Sequence, residues 1–318
     1  MRTVNRSRTG FVLVSVLWIT AMLSVIILGF GRRAALDRRA AAYALDQAEA
    51  MMMARGAVDR GIVELYNRGL MRLLLPEDQR GGTHLGESWA RTNNLFKESY
   101  FEQTELYEND VVAYIITDED RFININVDPR APGWEVLEEI DALNRTVLRR
   151  IRARHDSLRE EQRMSFNAIE ELRYIRGIRE DDWFGTRRTV GLRHLLTVWG
   201  SGLINVNTAS REVLECVPGL RSGDINTILN YRAGGDGVLN TDDDRGFENP
   251  EDLTDKTGVT GASREALDKY CKYTASHFKI TGVATRRQGR VRAVCSAIVS
   301  YAEDGFMVID WQEKTLGS

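Results

Sequence analysis

The sequence predicts an α+β protein with one long N-terminal helix, a small antiparallel sheet, and a large helical domain inserted between the strands of that sheet. Three observations carry this reading. Twenty uncharged residues, Phe11 to Phe30, run directly into a basic amphipathic stretch. Alternating strand patterns occur at two distant places, from Asp110 and from His277. The region 128–275 between them has the spacing and punctuation of short helices.

The helix comes first. Twenty apolar residues at 1.5 Å per residue span roughly 30 Å, the thickness of a bilayer core. A secretory signal has a shorter apolar region, about 7–15 residues, followed by a small-residue cleavage site. Here Arg32 and Arg33 follow the run before any such site. Arginines flank the span on both sides, so charge bias assigns no orientation. Leu36, Ala40, Ala44, Ala48, Met51, Arg55, Val58, Ile62 and Leu65 recur at three- and four-residue steps, and no proline appears before Pro76. This predicts one helix from Phe11 to about Leu65, with its outer half packing on its own domain.

The strands come next. Val111 to Ile125 reads as a β-hairpin turning at Asp118-Glu119-Asp120. The segment from His277 to Glu313 reads as three strands with turns near Arg287-Gln288-Gly289 and Glu303-Asp304-Gly305. The predicted organisation is a leader over 1–10, a membrane span over 11–30 and an outer helix over 31–75. A β domain follows over 76–127 and 276–318, with the inserted α-domain over 128–275.

Within the α-domain a leucine precedes a glycine by five residues three times: Leu172 and Gly177, Leu214 and Gly219, Leu253 and Gly258. Acidic residues lead each leucine. The pattern predicts short helices closed by a left-handed glycine, with Asn207 or Thr208 capping the middle one. Such helix-hairpin-helix or SAM-like units pack on one another or bind nucleic-acid backbone. Glu180, Asp181 and Asp182 would repel phosphate after the first hairpin, whereas Arg221 and Arg232 leave DNA open for the middle one.

Composition excludes more than it assigns. The formal charge of −3 gives no basic field for nucleic acid. Cys216, Cys271 and Cys295 form no CxxC pair, and His84, His155, His194 and His277 show no metal-ligand spacing. There is no GxSxG, HExxH or Walker loop, and no carboxylate pair stands out for acid–base work, so no enzyme is expected.

A short basic leader ending in Gly10, then Phe11, then a charge-free helix that turns amphipathic, resembles type IV prepilins and type II secretion pseudopilins. The resemblance implies cleavage by prepilin peptidase between Gly10 and Phe11, and methylation of the new terminus. Most members carry Glu at the fifth mature position, where this chain has Ser15. That departure resembles minor pseudopilin K (general secretion pathway protein K). So do TDEDRFININ (117–126), FNAIEELRYIRGI (166–178), LLTVWGSGLINVNTASREVLECVPGL (195–220) and VIDWQE (308–313), in that order.

The resemblance implies a pilin-type sheet interrupted by a helical domain. It also implies a single-pass inner-membrane anchor with a cytoplasmic N-terminus and a periplasmic globular part. The implied role is structural: priming or capping the pseudopilus tip for protein export, with pseudopilins I, J and H as partners and membrane lipid around the anchor. A minor pilin of a type IV pilus and a membrane-tethered DNA receptor are the alternatives.

One loop carries a cofactor expectation. Seven acidic residues and two asparagines crowd into 234–253, and Asp236, Asn240, Asp242, Asp244 and Glu251 are candidate ligands of Ca²⁺, a hard cation that takes oxygen donors. Arg245 stands where an EF-hand has glycine. Calcium binding in minor pseudopilin K relatives favours a site, and a solvated acidic loop is the other reading.

Overall fold

The computed structural model describes residues 8–74, 81–90, 110–159, 166–287, 289–302 and 305–317. The fold class is the one expected. Helix α1 runs Arg8–Leu74, extending the predicted helix at both ends. Pro76 follows shortly in the sequence, and a residue before proline disfavours helical geometry. Phe11 to Phe30 lie bare on the helix surface; Ser15 alone among them is half-buried.

A four-stranded antiparallel sheet packs against the outer half of α1. Its strands are β1 (Val111–Asp118), β6 (His277–Arg286), β7 (Val291–Ala302) and β8 (Gly305–Gly317), in the spatial order β1-β6-β7-β8. The three C-terminal strands therefore fall where they were predicted. Their inward side chains alternate, as in Phe278, Ile280 and Ala284 facing Val112, Tyr114 and Ile116 in one apolar core with α1.

The helix face in that core is the predicted stripe only in part: Val58 and Leu65 are in it, and Met51 and Ile62 pack against it. Ala50, Ala54, Ala57, Val58, Gly61 and Leu65 are buried, whereas Leu36, Ala40, Ala44, Ala48 and Arg55 are exposed. Close approach decides the face. A Cβ on Gly61 would sit 2.7 Å from Ile280, and one on Gly282 would sit 2.3 Å from the Ala54 carbonyl. Small residues, not large apolar ones, let helix and sheet meet.

The predicted hairpin after Asp110 does not form. Strand β1 pairs with β6, from Val111 opposite Thr285 to Asp118 opposite Phe278. Glu119–Arg121 is a 3-10 turn, and the chain then leaves the sheet. Strand β2 (Ile123–Asn124) pairs in parallel with β3 (Leu196–Thr197) in the helical block, and Ile123, Ile125 and Val127 are buried in that block's core. The expected boundary at 127 thus cuts a segment that already belongs to the block.

The helical block is a tandem duplication. The first copy contains β2, α2 (Gly133–Glu138), α3 (Arg145–Arg159), α4 (Glu180–Phe184) and β3. The second contains β4 (Ile204–Asn205), α5 (Arg211–Glu215), α6 (Ser222–Arg232), α7 (Pro250–Thr257), α8 (Ala262–Tyr270) and β5 (Cys271–Lys272). Ile123 pairs with Leu196 as Ile204 pairs with Cys271, and Asn124 with Thr197 as Asn205 with Lys272. Three phrases recur: Ile123-Asn124-Ile125-Asn126 as Ile204-Asn205-Val206-Asn207, Glu135-Val136-Leu137-Glu138 as Glu212-Val213-Leu214-Glu215, and Phe166-x3-Glu170-x-Leu172 as Phe247-x3-Glu251-x-Leu253.

The hydrogen bonds repeat as well. Asn126 accepts from Phe166 N–H at 2.9 Å and donates to the Phe166 and Val198 carbonyls. Asn207 accepts from Phe247 N–H at 2.8 Å and donates to the Phe247 and Tyr273 carbonyls. The predicted threefold repeat is therefore a twofold one. Leu172 with Gly177 is the counterpart of Leu253 with Gly258, and Leu214 with Gly219 belongs to the other half of its unit. All three glycines do have positive φ.

Candidate functional site

Two regions bear on function: the bare N-terminal segment, and a buried carboxylate knot that joins the helical block to the sheet.

Gly10 and Phe11 lie inside α1, in its first turn. Ser15, at the position where the family resemblance calls for Glu, donates its hydroxyl to the Phe11 carbonyl at 2.9 Å. Its polar atom is thus satisfied within its own helix. Ionised carboxylates in an apolar span need an external partner. The apolar segment has no cover in the fold, and α1 is long and apolar enough to cross a membrane.

The knot begins where β1 ends. Asp118, Glu119 and Asp120 are 1%, 6% and 2% exposed. Asp120 lies between equivalent serines of the two repeats. One of its oxygens accepts from Ser201 N–H (3.0 Å) and Oγ (3.4 Å). The other accepts from Ser276 N–H (2.7 Å) and Oγ (2.9 Å), from His277 N–H (3.0 Å), and from Lys272 Nζ at 2.6 Å. Gly200, at φ 105°, leaves room for this carboxylate; a Cβ there would lie 2.8 Å from it.

Asp118 accepts from Asn205 Nδ2 (2.8 Å) and Thr208 Oγ1 (2.6 Å), while Asn205 also donates to the Thr83 carbonyl. Glu119 accepts from the Thr197 hydroxyl. A buried Thr83 then accepts from Arg68 of α1 and from Ala275 N–H. Helix, sheet and both repeats meet at these few groups.

The expectation that no carboxylate pair stands apart is corrected here. Burial, with the neighbouring Asp120 charge, pushes the Asp118 carboxyl up to about 6 against its hydrogen bonds. Burial also opposes the charge on Asp120, but the His277, Lys272 and Ser276 contacts outweigh it and hold this carboxyl well below the usual range. Opposed environments often mark acid–base chemistry. Here both groups are enclosed by protein donors, and their position makes them a structural joint.

The acidic loop is placed differently from its prediction. Asp236, Asn240 and Asp242 are exposed, Asp244 is buried, and Glu251 sits in the first turn of α7. Asp244 accepts from Asn240 N–H at 2.6 Å, and Glu251 pairs with Arg264 at 3.3 Å. Asp243, outside the predicted set, closes the loop by accepting from Gly235 and Asp236 N–H and from Thr241 Oγ1. Among the described residues no three His, Cys, Asp or Glu side chains are gathered to hold a metal ion.

Other predicted residues are also relocated. Ser210, not Asn207 or Thr208, caps α5 by accepting from Val213 N–H; Asn207 and Thr208 are spent on tertiary hydrogen bonds. Arg232, a candidate phosphate contact, is 1% exposed and donates to the Val206 and Ala209 carbonyls. Cys216, Cys271 and Cys295 are unpaired, the last two buried.

No family model matches the chain, and no curated protein matches it. A similar solved structure is the crystal structure of the GspK-GspI-GspJ complex from the enterotoxigenic Escherichia coli type 2 secretion system. The identity is 13%, 89% of this chain and 98% of that chain are covered, and the TM-score is 0.49. A likeness at that level carries no assignment of role.

Proposed function

We propose that this chain is a K-type minor pseudopilin, anchored in the inner membrane by Phe11–Phe30 and working at the tip of a type II secretion pseudopilus. The observation that carries the reading is the division of α1. Its first half is apolar and bare, and its second half packs on the sheet through Ala50, Ala54, Ala57 and Gly61. A helix built this way suits lateral packing against like helices in a membrane and then in a fibre.

Ser15 supports the tip position. A carboxylate in an apolar span costs on the order of 2.5–3.5 kcal/mol unless it is paired. An inner subunit offsets that by pairing its Glu with the amine of the subunit above. A tip subunit has no subunit above, and Ser15 is satisfied by its own helix. The Phe11 amine, freed by prepilin peptidase, remains able to receive the Glu of a subunit below. Pseudopilins I and J are the proposed direct partners with H beneath, and the helical block faces the periplasm.

N-terminal sequencing of the protein from membranes tests the reading. Phe11 as the first residue is expected; Met1, or a residue near 45, would overturn it. Crosslinking along assembled fibres tests the tip, and copies spread down the shaft would remove it. A minor pilin of a type IV pilus shares the N-terminus and is separated by the same fibre experiment. The DNA-receptor alternative loses its best contact with the burial of Arg232.

We also propose that calcium acts on the 236–244 loop without Glu251, which Arg264 already holds. Oxygen donors are dense there, but a cation must first exchange the backbone hydrogen bonds that Asp243 accepts.

A further inference from the structure

We infer that, on the membrane anchoring proposed above, four arginines just past the apolar segment of α1 form a collar that binds anionic phospholipid headgroups. Arg32, Arg33, Arg38 and Arg39 are all exposed, in a stretch where no residue from Phe11 to Leu45 is buried.

The collar keeps its charge. Asp37 is the one acid between Phe11 and Asp46, and among the described residues no ion pair joins it to any of the four arginines. The next acids along the helix, Asp46 and Glu49, are held by Arg287 and Arg286 of the sheet. Four guanidiniums against one carboxylate leave three net positive charges.

Depth selects the headgroups. At 1.5 Å per residue, Arg32 and Arg33 lie about 3–4.5 Å beyond Phe30, and Arg38 and Arg39 about 12–13.5 Å beyond it. The headgroup layer on each side of a bilayer core is roughly 5–8 Å deep. Helical side chains lean towards the N-terminus, which here is the membrane end. Arg38 shows the lean: its Nε donates to the Ala34 carbonyl, one turn nearer the apolar segment, at 3.2 Å. Arginine stems reach back along a helix in this way to set their charge at the interface.

Direction selects a lipid surface over a protein partner. At about 100° per residue, the four side chains point to about 0°, 100°, 240° and 340° around the helix axis. A neighbouring helix or domain covers one side, whereas headgroups surround the chain. Guanidinium forks match phosphate oxygens, and the excess positive charge favours a lipid of net negative charge over a zwitterionic one.

The test uses the full chain carrying W18F and L28W, reconstituted in phosphatidylcholine bilayers with brominated lipid added. Bromine on the acyl chains quenches an indole in contact with it, so the probe at position 28, one turn inside the collar, reports which lipid sits there. Arg2, Arg6 and Arg8 lie at the opposite end of the span, away from the probe. At low salt, brominated phosphatidylglycerol is expected to compete for that position about fivefold better than brominated phosphatidylcholine, the effect of one arginine near an anionic surface. The preference is expected to fade at high salt, and R32Q/R33Q/R38Q/R39Q in the same chain is expected to bring it to about one. Equal quenching by the two lipids at low salt, or a preference unchanged in the fourfold variant, would overturn the collar and leave the anchoring intact. No quenching by either lipid would overturn the anchoring, and the collar with it.

Discussion

The backbone N–H of Asp120 donates to the Asp118 carboxylate at 2.9 Å, yet the two side chains hold their protons at opposite ends of the acid range. Asp118 is pushed up to about 6, from an ordinary 3.8. Its folded state takes up the proton more readily, so its contribution is full at low pH and is lost as pH rises through about 6. Asp120 is held low. Its contribution is present above about pH 4 and is lost as pH falls below that. Stability is therefore expected to peak near pH 4 and to fall between about pH 4 and 6 on account of this pair. D118N should flatten the alkaline side of the peak by on the order of 1–3 kcal/mol. Part of the slope stays with Glu119, which burial also raises. Melting curves of wild type and D118N across pH 4–7 check this. An unchanged slope in the variant would disprove the assignment to Asp118.

The equivalence of Asn126 and Asn207 makes a second prediction. Both side chains bridge the same three backbone groups of their repeats, but Asn207 is 1% exposed and Asn126 is only half-buried. N207A leaves one N–H and two carbonyls unpaired away from water, a cost of about 2–4 kcal/mol. N126A leaves the same groups closer to solvent, at about 1–2 kcal/mol. The ranking of the two melting temperatures is the measurement, and a larger loss for N126A would contradict the burial argument.

A third prediction concerns the meeting of helix and sheet. Gly282 on β6 has no room for a Cβ, which would lie 2.3 Å from the Ala54 carbonyl and 3.0 Å from Val58. G282A is expected to cost about 1–3 kcal/mol through overpacking, and G282V more. Amide hydrogen exchange over 50–61 should speed up in both, because the helix must move off the sheet. Wild-type protection of those amides in G282V would show that the contact is not tight.

The legible parts of the fold were those written in local patterns. The uncharged run 11–30 and the alternation after His277 determine their elements with no distant partner. The segment from Val111 has equally good alternation, but its partner is β6, far along the chain, and local periodicity does not name partners. Phe122–Ile125 is the nearest candidate in sequence, but it pairs with Leu196–Thr197 instead. Asp118-Glu119-Asp120 reads as a turn because aspartate serves exposed turns and buried joints alike. The signal that separates them is the recurrence of Ile-Asn-x-Asn at 123 and 204, each needing a parallel strand. The helix face was legible only in part, for a steric reason: Ala50, Ala54, Ala57 and Gly61 share the packing stripe with Val58 and Leu65, while hydrophobicity gives weight to exposed residues such as Leu36. The helix that carries Gly10, Phe11 and Ser15 was readable because a long uncharged run is a local pattern.

The calcium proposal gives the last prediction. Calcium added to chelator-treated protein is expected to raise Tm. Because Glu251 is held by Arg264, E251Q should keep that response in full, whereas D236N and D242N should reduce it by removing charge from the loop. D243N tests the cost of rearrangement separately. Asp243 closes the loop through Gly235, Asp236 and Thr241 without a cation, and these bonds hold its carboxyl below the ordinary range. The variant should therefore lower Tm in chelator as well as in calcium. No shift of the wild type at several millimolar calcium would leave the loop as a self-contained turn and withdraw the cation.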